Sequence, residues 1–487
     1  MSPSASVARR AALAVGLMIG FYVLALVISA GLIYLPIAAI VYAHHLPVQL
    51  ALASLIGAGT ILWSILPRWD RFPAPGPALD RVQHPKLFQE IEGVARATEQ
   101  DMPAEVYLVG DVNAWVAQRG GVMGLFSRRV MGLGLPLLQT LSVSELRAVL
   151  AHEFGHFYGG DTKLGPWVYK TRAAIGRTIA GLRGRSWLQK PFLWYGNLFL
   201  RISQAVSRRQ EFSADALASR VIGSRPLSEG LKKVQTAAGA YDAFWSQEVV
   251  PVLQAGFLPP IADGFHRFTA HARVSRAMAN LLEEGLKQTA ADPYDTHPPL
   301  AERIAAVADL PAGPDPAGEP PAISLLSDVS DLERRWLATV INPEVVAKLS
   351  VVPWDAVVST AVLPRWRAAL AEHAAVIEGA TVADFASVVA ECRERGERLP
   401  QTEDDGGDPE ARAAFVRWLA AAATTLALER AGWTIEAPPG APYAARRGAD
   451  ELLPFEAMQK MRDGAMTDEA WRAETERLGV SALPLVG

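Results

Sequence analysis

The sequence has almost no cysteine: of its 487 residues, only Cys392 carries a thiol. A single cysteine excludes an intrachain disulfide framework and any zinc module that is built from several cysteines. The net charge is only −4, so the overall charge gives no indication of nucleic-acid binding. Half of the residues are hydrophobic and the mean hydropathy is slightly positive, which indicates membrane segments.

Charged residues are missing from Ala11 to Ala43, and also from the second apolar run, Val48 to Leu66. As a helix, each run is long enough to cross the ~30 Å hydrocarbon core of a bilayer. The first run exceeds a single crossing, so its helix must tilt, break near Pro36 or extend beyond the bilayer. A cleaved signal peptide is the alternative, but the length of the first run and the presence of a second argue against it.

Basic residues flank this pair of runs: Arg9 and Arg10 precede it, and Arg68 and Arg71 follow it. Between the runs, His44 and His45 are the only residues that can carry a positive charge. Because positively charged flanks stay in the cytoplasm, we predict a two-span hairpin with a very short outer turn and both ends cytoplasmic. The part of the chain that follows the hairpin is then expected on the cytoplasmic side of the inner (cell) membrane.

Beyond the hairpin, helix and strand signals alternate. The segment HPKLFQEIEGVARAT (84–98) has helical spacing, AEVYLVG (104–110) is typical of a strand, and RRVMGLGLPLL (128–138) predicts a strand that runs into a turn. Ser142 and Glu145 then have the spacing of a capping box, which predicts the start of a helix.

The predicted helix contains the motif HEFGH, with a glutamate directly after the first of two histidines. On a helix, His152 and His156 share one face and can bind one zinc ion together. Glu153 is then placed to accept a proton from metal-activated water, as in zinc peptidases. A helix with two half-exposed histidines is the alternative, but burying these polar residues without partners would be costly.

A catalytic zinc site of this kind needs a third protein ligand. The metzincin pattern would place a histidine at position 162, where this chain has Thr162, so that class is excluded. The segment SRRQEFSADALASR (207–220) favours a helix and offers Glu211 and Asp215 four residues apart. We predict that Glu211 binds the metal and that Asp215 orients a ligating imidazole through its other nitrogen. Two solvated acids on a helix surface are the alternative.

Three separated motifs, LSVSELRAVLAHEFGH, RRQEFSADALA and DTHPPLAERI (295–304), follow the predicted hairpin in this order. Over about residues 80–310 the chain resembles the membrane-bound zinc metallopeptidases of the HtpX and CAAX prenyl endopeptidase family. The resemblance implies a gluzincin fold, which is a helical core with a small sheet. It also implies one zinc ion per chain, held by His152, His156 and Glu211, with Glu153 as the general base.

The resemblance suggests roles for two further segments. His297, in the family's His-Pro segment, would help to stabilise the tetrahedral intermediate, or it would only begin a turn before the next helix. Asn113 and Ala114 match the family's edge-strand segment over the cleft, where an extended substrate backbone could form hydrogen bonds. A simple turn residue at Asn113 is the alternative.

No acidic residue occurs between Asp161 and Glu211, although this stretch has ten lysines and arginines. HtpX-type relatives carry further transmembrane helices in this insertion, but here the charges are too frequent and the apolar run PFLWYGNLFLRI is too short. We predict an amphipathic segment that lies on the anionic inner leaflet. A solvated basic loop is the alternative.

Stretches rich in proline and glycine indicate domain boundaries. We predict a mostly helical α+β protein in four parts: a transmembrane hairpin (1–70), a zinc peptidase domain with a small sheet (71–310), a linker (311–323) and a mostly helical region of unknown role (324–487). In the last part, FVRWLAAAATTLALER is apolar but too short to cross a bilayer, so we predict a buried helix.

These expectations predict a membrane-anchored zinc metalloendopeptidase with protein or peptide substrates, a lipid bilayer as its environment and no nucleic-acid partner. Quality control of membrane proteins and processing of a dedicated substrate are two open roles. The alternative from a different class is a catalytically silent membrane scaffold that binds partners, although every catalytic residue type is present. A structural zinc site is disfavoured because such sites are usually closed by four protein ligands.

Overall fold

The structure is a computed structural model that describes residues 3–44, 48–66, 70, 72–121, 126–157, 165–287, 297–399 and 408–487. The predicted flanking residues Arg68 and Arg71, as well as Thr162, fall outside this range. The described residues form a mostly helical fold with small sheets, which confirms the predicted fold class.

Contacts group the chain into two compact units: the first is Met1–Ala237 with Asn280–Thr339, and the second is Ala238–Ala279 with Val340–Gly487. This grouping follows different boundaries from the four parts predicted from composition, which remain a prediction. In particular, the predicted linker 311–323 falls within the first unit.

The first unit begins with the predicted hairpin, as helices α1 (Pro3–Ala43) and α2 (Val48–Ile65). Helix α1 continues through Pro36, so the predicted break is not needed. Both helices are long and apolar enough to cross a membrane. The buried face of α2 consists mainly of small residues, such as Ala51, Ser54 and Gly57, which allow neighbouring helices to approach closely.

The basic stretch forms two helices, α6 (Gly165–Gly181) and α7 (Ser186–Val221), so the alternative of a basic loop is wrong. The expectation of an amphipathic segment that lies on the leaflet also needs correction, because the apolar side chains of α6 and α7 pack against α1 and α2. The buried cluster of these four helices and the α6–α7 turn consists of Met18, Phe21, Ala25, Leu32, Ala58, Ile61, Ala174, Ile175, Leu182, Leu188, Phe192 and Phe199. Within it, the hydroxyls of Ser64 and Thr178 are 2.6 Å apart.

A four-stranded sheet and three helices form the next part of the first unit. The strands are β1 (Ala78–Leu79), β2 (Glu105–Val109), β3 (Ala114–Arg119) and β4 (Arg128–Gly134). Their order is β1-β2-β4-β3, with β2 and β4 parallel and the other pairs antiparallel, so β3 lies at an edge. The helices are α3 (Pro85–Ala97), α4 (Leu135–Thr140) and α5 (Val143–Gly155).

Four further helices lie in the first unit or cross the boundary between the units: α8 (Ser224–Phe244), α11 (Ala272–Lys287), α12 (Leu300–Val307) and α13 (Val329–Val340). The predicted linker packs against the start of α5: the backbone N–H of Ala322 donates to Leu141 O at 2.7 Å, and a carboxylate oxygen of Glu319 accepts from the backbone N–H of Ser144 at 2.8 Å. These bonds make the linker part of the first unit.

The second unit has two small sheets and a helical core. Its parallel pair is β5 (Phe257–Leu258) with β6 (Ser350–Val351), and its antiparallel sheet is β7 (Thr434–Glu436), β8 (Ala444–Arg447) and β9 (Asp450–Leu452). Its remaining helices are α9 (Val250–Gln254), α10 (Ile261–Ala270), α14 (Pro343–Lys348), α15 (Trp354–Val357), α16 (Leu363–His373), α17 (Phe385–Ala390), α18 (Cys392–Gly396), α19 (Pro409–Arg430), α20 (Pro454–Arg462) and α21 (Asp468–Arg477). Helix α19 is buried along most of its length, which confirms the prediction of a buried helix there.

Candidate metal centre

Helix α5 begins at the predicted capping box and ends within the metal motif. Ser142 Oγ accepts a hydrogen bond from the backbone N–H of Glu145, and Glu145 Oε2 accepts one from the backbone N–H of Ser142. The helix ends at Gly155, so the second histidine, His156, is its C-terminal cap residue and not an interior residue. The backbone of His156 is still helical, and its ring lies 4.8 Å from that of His152, centroid to centroid.

A close contact between α5 and α7 brings the third predicted ligand to the two imidazoles. A Cβ atom at Gly155 would lie 2.9 Å from Ala214 Cα, so glycine is the residue that permits this approach. As a result, Glu211 Oε2 is 3.5 Å from His152 Nε2, and Glu211 Oε1 is 3.5 Å from His156 Nε2.

These separations fit a zinc ion. Two ligand atoms that each lie 2.0–2.1 Å from a tetrahedral zinc are about 3.3 Å apart, close to the two observed distances. Glu211 is buried, and its Oε2 makes no well-formed hydrogen bond, so the donor set has the chemistry of a metal ligand. One donor atom from each of His152, Glu153 and His156 also lies within 4.8 Å of the others, which leaves the Glu153 carboxyl beside the candidate ion position.

Asp215 and Arg303 lie beside His152 Nδ1, the ring nitrogen that does not face Glu211. Asp215 Oδ1 is 2.9 Å from His152 Nδ1, which turns Nε2 of this ring toward Glu211, as expected for a carboxylate that orients a ligating histidine. Arg303 was not assigned a role from the sequence, yet it is buried and also contacts Asp215 and Glu211. A signal was present, because Arg303 shares the buried stripe of α12 with Leu300 and Val307.

His297 lies at the entrance to the site. Its Nδ1 is 3.0 Å from Glu211 Oε2, while 59% of its side chain is exposed. It also immediately precedes the Pro298-Pro299 pair before α12, so the contact with the site and the position before a helix are both observed. The structure therefore brings His297 to the candidate metal centre.

Burial and neighbouring charges shift the pKa values of the site in different directions. Burial lowers the pKa of His152, but the Asp215 and Glu211 carboxylates outweigh burial and raise it to about 9. Burial and the charge of His152 lower the pKa of His156 to about 4. Burial raises the pKa of Glu153 to about 7. Burial alone would also raise the pKa of Glu211, but contacts with His152 and His297 hold it far below its usual range.

A cleft of about 290 Å³ adjoins these residues. Asn113 and Ala114, at the start of edge strand β3, line it together with His152, Glu153 and His297. The rest of the lining is mostly apolar: it consists of Leu137, Val149, Leu227, Leu231, Val234, Pro298, Pro299 and Leu300, together with Gln235, Gly285 and Arg303. The contribution of α8 was not predicted, although the spacing of Leu227, Leu231 and Val234 is that of one helix face.

Comparisons with known proteins find similarity to one family of proteases. Residues 82–310 match the model of peptidase family M48. Over 235 residues the chain is 24% identical to a Protease HtpX homolog of Nostoc sp., a match that covers 42% of this chain and 76% of that protein. Over 272 residues it is 23% identical to Protease HtpX of Pseudomonas fluorescens, which covers 51% and 81% of the two chains. No solved structure matches the chain. The family resemblance predicted from the three motifs is confirmed.

Proposed function

Because residues 82–310 match peptidase family M48, we propose that this chain is a membrane-anchored zinc endopeptidase that hydrolyses peptide bonds in protein substrates. The observation that supports the proposal is the convergence of His152, His156 and Glu211. Two separate helices bring these residues to separations that suit one tetrahedral ion, beside the carboxyl of Glu153.

His152, His156 and Glu211 would hold the zinc ion, which when bound supplies Lewis-acid activation of water and of the scissile carbonyl. Glu153 accepts the proton of the attacking water and passes it to the leaving amine. A carboxyl whose pKa burial raises to about 7 suits this exchange, since general acid–base catalysis works best near the operating pH. His297, at the edge of the cleft, donates a hydrogen bond to the developing oxyanion.

The cleft supports an extended substrate. Edge strand β3 pairs only with β4 among the described residues, so the substrate backbone can add to its free side near Asn113 and Ala114 as a further strand. Because such pairing uses only main-chain groups, it does not require a particular substrate sequence. The apolar lining from Leu227, Leu231 and Val234 favours an apolar side chain next to the scissile bond.

Helices α1 and α2 anchor the protease in the membrane. Arg9 and Arg10 before the first apolar run, by the positive-inside rule, keep the catalytic part on the cytoplasmic side of the inner membrane. For a protease that is anchored on the cytoplasmic side of the inner membrane, we propose a role in the turnover of damaged membrane proteins.

Zinc analysis combined with casein cleavage tests the proposed function. The wild-type protein should contain one zinc ion per chain and lose its activity with a chelator, whereas Glu153→Gln should keep zinc and lose about 10²- to 10⁴-fold in rate. Glu283→Gln, which changes an exposed glutamate in a surface ion pair with Lys287, is the matched control and should remain active. Cleavage that resists the chelator, or an active Glu153→Gln variant, would overturn the mechanism, whereas the absence of cleavage by the wild-type protein would favour a scaffold function.

A further inference from the structure

One continuous helix connects the candidate metal centre to the membrane hairpin. Helix α7 runs from Ser186 to Val221 and contains Glu211 near one end. Near the other end, Leu188, Phe192 and Phe199 belong to the buried cluster formed with α1 and α2. Both ends of α7 are therefore held, one by the membrane helices and the other by α5.

Tyr195 contacts α1 near the start of its apolar span. Its hydroxyl donates a hydrogen bond of 2.6 Å to the carbonyl of Leu17, which lies just inside the apolar span Val15–Tyr42 of α1. Deeper in this span, the ring of Phe192 packs edge-on against that of Phe21 at 6.4 Å, centroid to centroid. Tyrosine is enriched at the membrane–water interface, so we place the membrane boundary on α7 between Tyr195 and Phe199.

The helix sets the distance from this boundary to the metal centre. The one proline inside α7, Pro191, precedes Tyr195, so the segment that leads to Glu211 has no proline kink. At about 1.5 Å per residue, Glu211 lies about 18 Å from Phe199 and about 24 Å from Tyr195 along the axis. An ordinary tilt of about 20° shortens this height by only a few per cent.

We propose that α7 acts as a ruler, which holds the active site about 18–24 Å from the membrane surface and selects where membrane-anchored substrates are cut. An extended chain advances at most about 3.3–3.6 Å per residue. A peptide bond can therefore reach the site only if at least about five to seven residues separate it from the end of the substrate's transmembrane segment. This inference rests on the proposed function and specifies its substrates as cytosolic segments beyond this minimum distance.

A series of substrates of different length tests the ruler. The full-length protein is reconstituted in liposomes with substrates that consist of one transmembrane helix, a Gly/Ser linker, a casein segment and a folded reporter domain. The casein segment is one that the protein cuts in solution, as identified by mass spectrometry. The linker places the scissile bond from about two to about fourteen residues beyond the transmembrane helix. The same proteins without the transmembrane helix are the controls.

We expect no cleavage when the scissile bond is closer than about four residues and full cleavage beyond about eight, while the soluble controls are cut equally at every length. If the shortest anchored substrate is cut as fast as the longest, the ruler is wrong, but the proposed protease function is not contradicted. If the soluble controls are also left uncut by a protein that contains zinc, the proposed function itself fails, and the ruler fails with it.

Discussion

The guanidinium of Arg303 binds both carboxylate oxygens of Asp215, with Nη2···Oδ1 at 2.7 Å and Nε···Oδ2 at 2.8 Å. The same Oδ1 atom lies 2.9 Å from His152 Nδ1. Helices α12, α7 and α5 are thus tied together directly behind the candidate metal centre. Because the Asp215 side chain is completely buried, Arg303 provides the charge that makes its burial tolerable.

Asp215→Asn should weaken zinc binding about 10- to 100-fold, which is the usual cost of losing a partner that orients a metal ligand. The neutral amide binds His152 less strongly and removes the carboxylate that accepts both hydrogen bonds of the buried Arg303. Competition with a chromophoric chelator measures the affinity. Asp315→Asn, which changes an exposed pair with Arg225, is the control; equal affinities of the two variants would contradict this role of Asp215.

Zinc binding should release about one proton at pH 8. In the metal-free protein the pKa of His152 is about 9 and that of His156 about 4, so at this pH only His152 is protonated. The metal must displace that proton, and the apparent affinity should therefore rise with pH up to about 9 and then level off. Calorimetry in two buffers with different ionisation enthalpies counts the proton. Heats that do not depend on the buffer would show that His152 is already neutral.

His297→Ala should lower kcat about 100-fold or more, because one oxyanion donor is lost, and should leave the zinc content unchanged. Steady-state kinetics and metal analysis together check both parts. His266→Ala, at an exposed position of α10, controls for the loss of a histidine. If His297 only begins the turn before α12, the variant will instead lose thermal stability and keep its kcat.

Glu319→Ala should destabilise the first unit by about 1 kcal/mol or less, because the carboxylate caps the start of α5 but is partly exposed. Burial raises the pKa of Glu319, but the hydrogen bonds from Ser144 outweigh this and lower it. A carboxyl with a lowered folded-state pKa stabilises the fold above its unfolded value of 4.5, and the stabilisation is lost as the pH falls below that.

Thermal unfolding of Glu319→Ala and wild type at pH 7 and at pH 3.5 measures this contribution. The difference in Tm should be present at pH 7 and shrink at the lower pH. Glu476→Ala, at an exposed position of α21, is the control. A difference that stays constant with pH would mean that Glu319 acts by packing and not as a charged cap.

Several features could be predicted from the sequence because they depend on residues close together in the chain. The capping box of Ser142 and Glu145 and the pairing of His152 with His156 follow from helical spacing alone. The two membrane helices follow from the length of their uncharged runs. Glu211 could be predicted as the third ligand because a zinc site of this kind needs one, and few helical segments of the chain offer a glutamate and an aspartate four residues apart.

Other features were decided only by tertiary structure, because they depend on contacts between residues far apart in the chain. Arg303 looked like an ordinary helix residue until packing placed it against Asp215. The composition of the basic stretch gave no indication that it packs against the membrane helices, because composition averages over all faces of a helix. In the structure, α6 and α7 each bury one apolar face against α1 and α2. By itself, the sequence determined the kind of chemistry and the membrane anchor. Packing then decided which residues contact the candidate metal ligands, as Asp215 and Arg303 do.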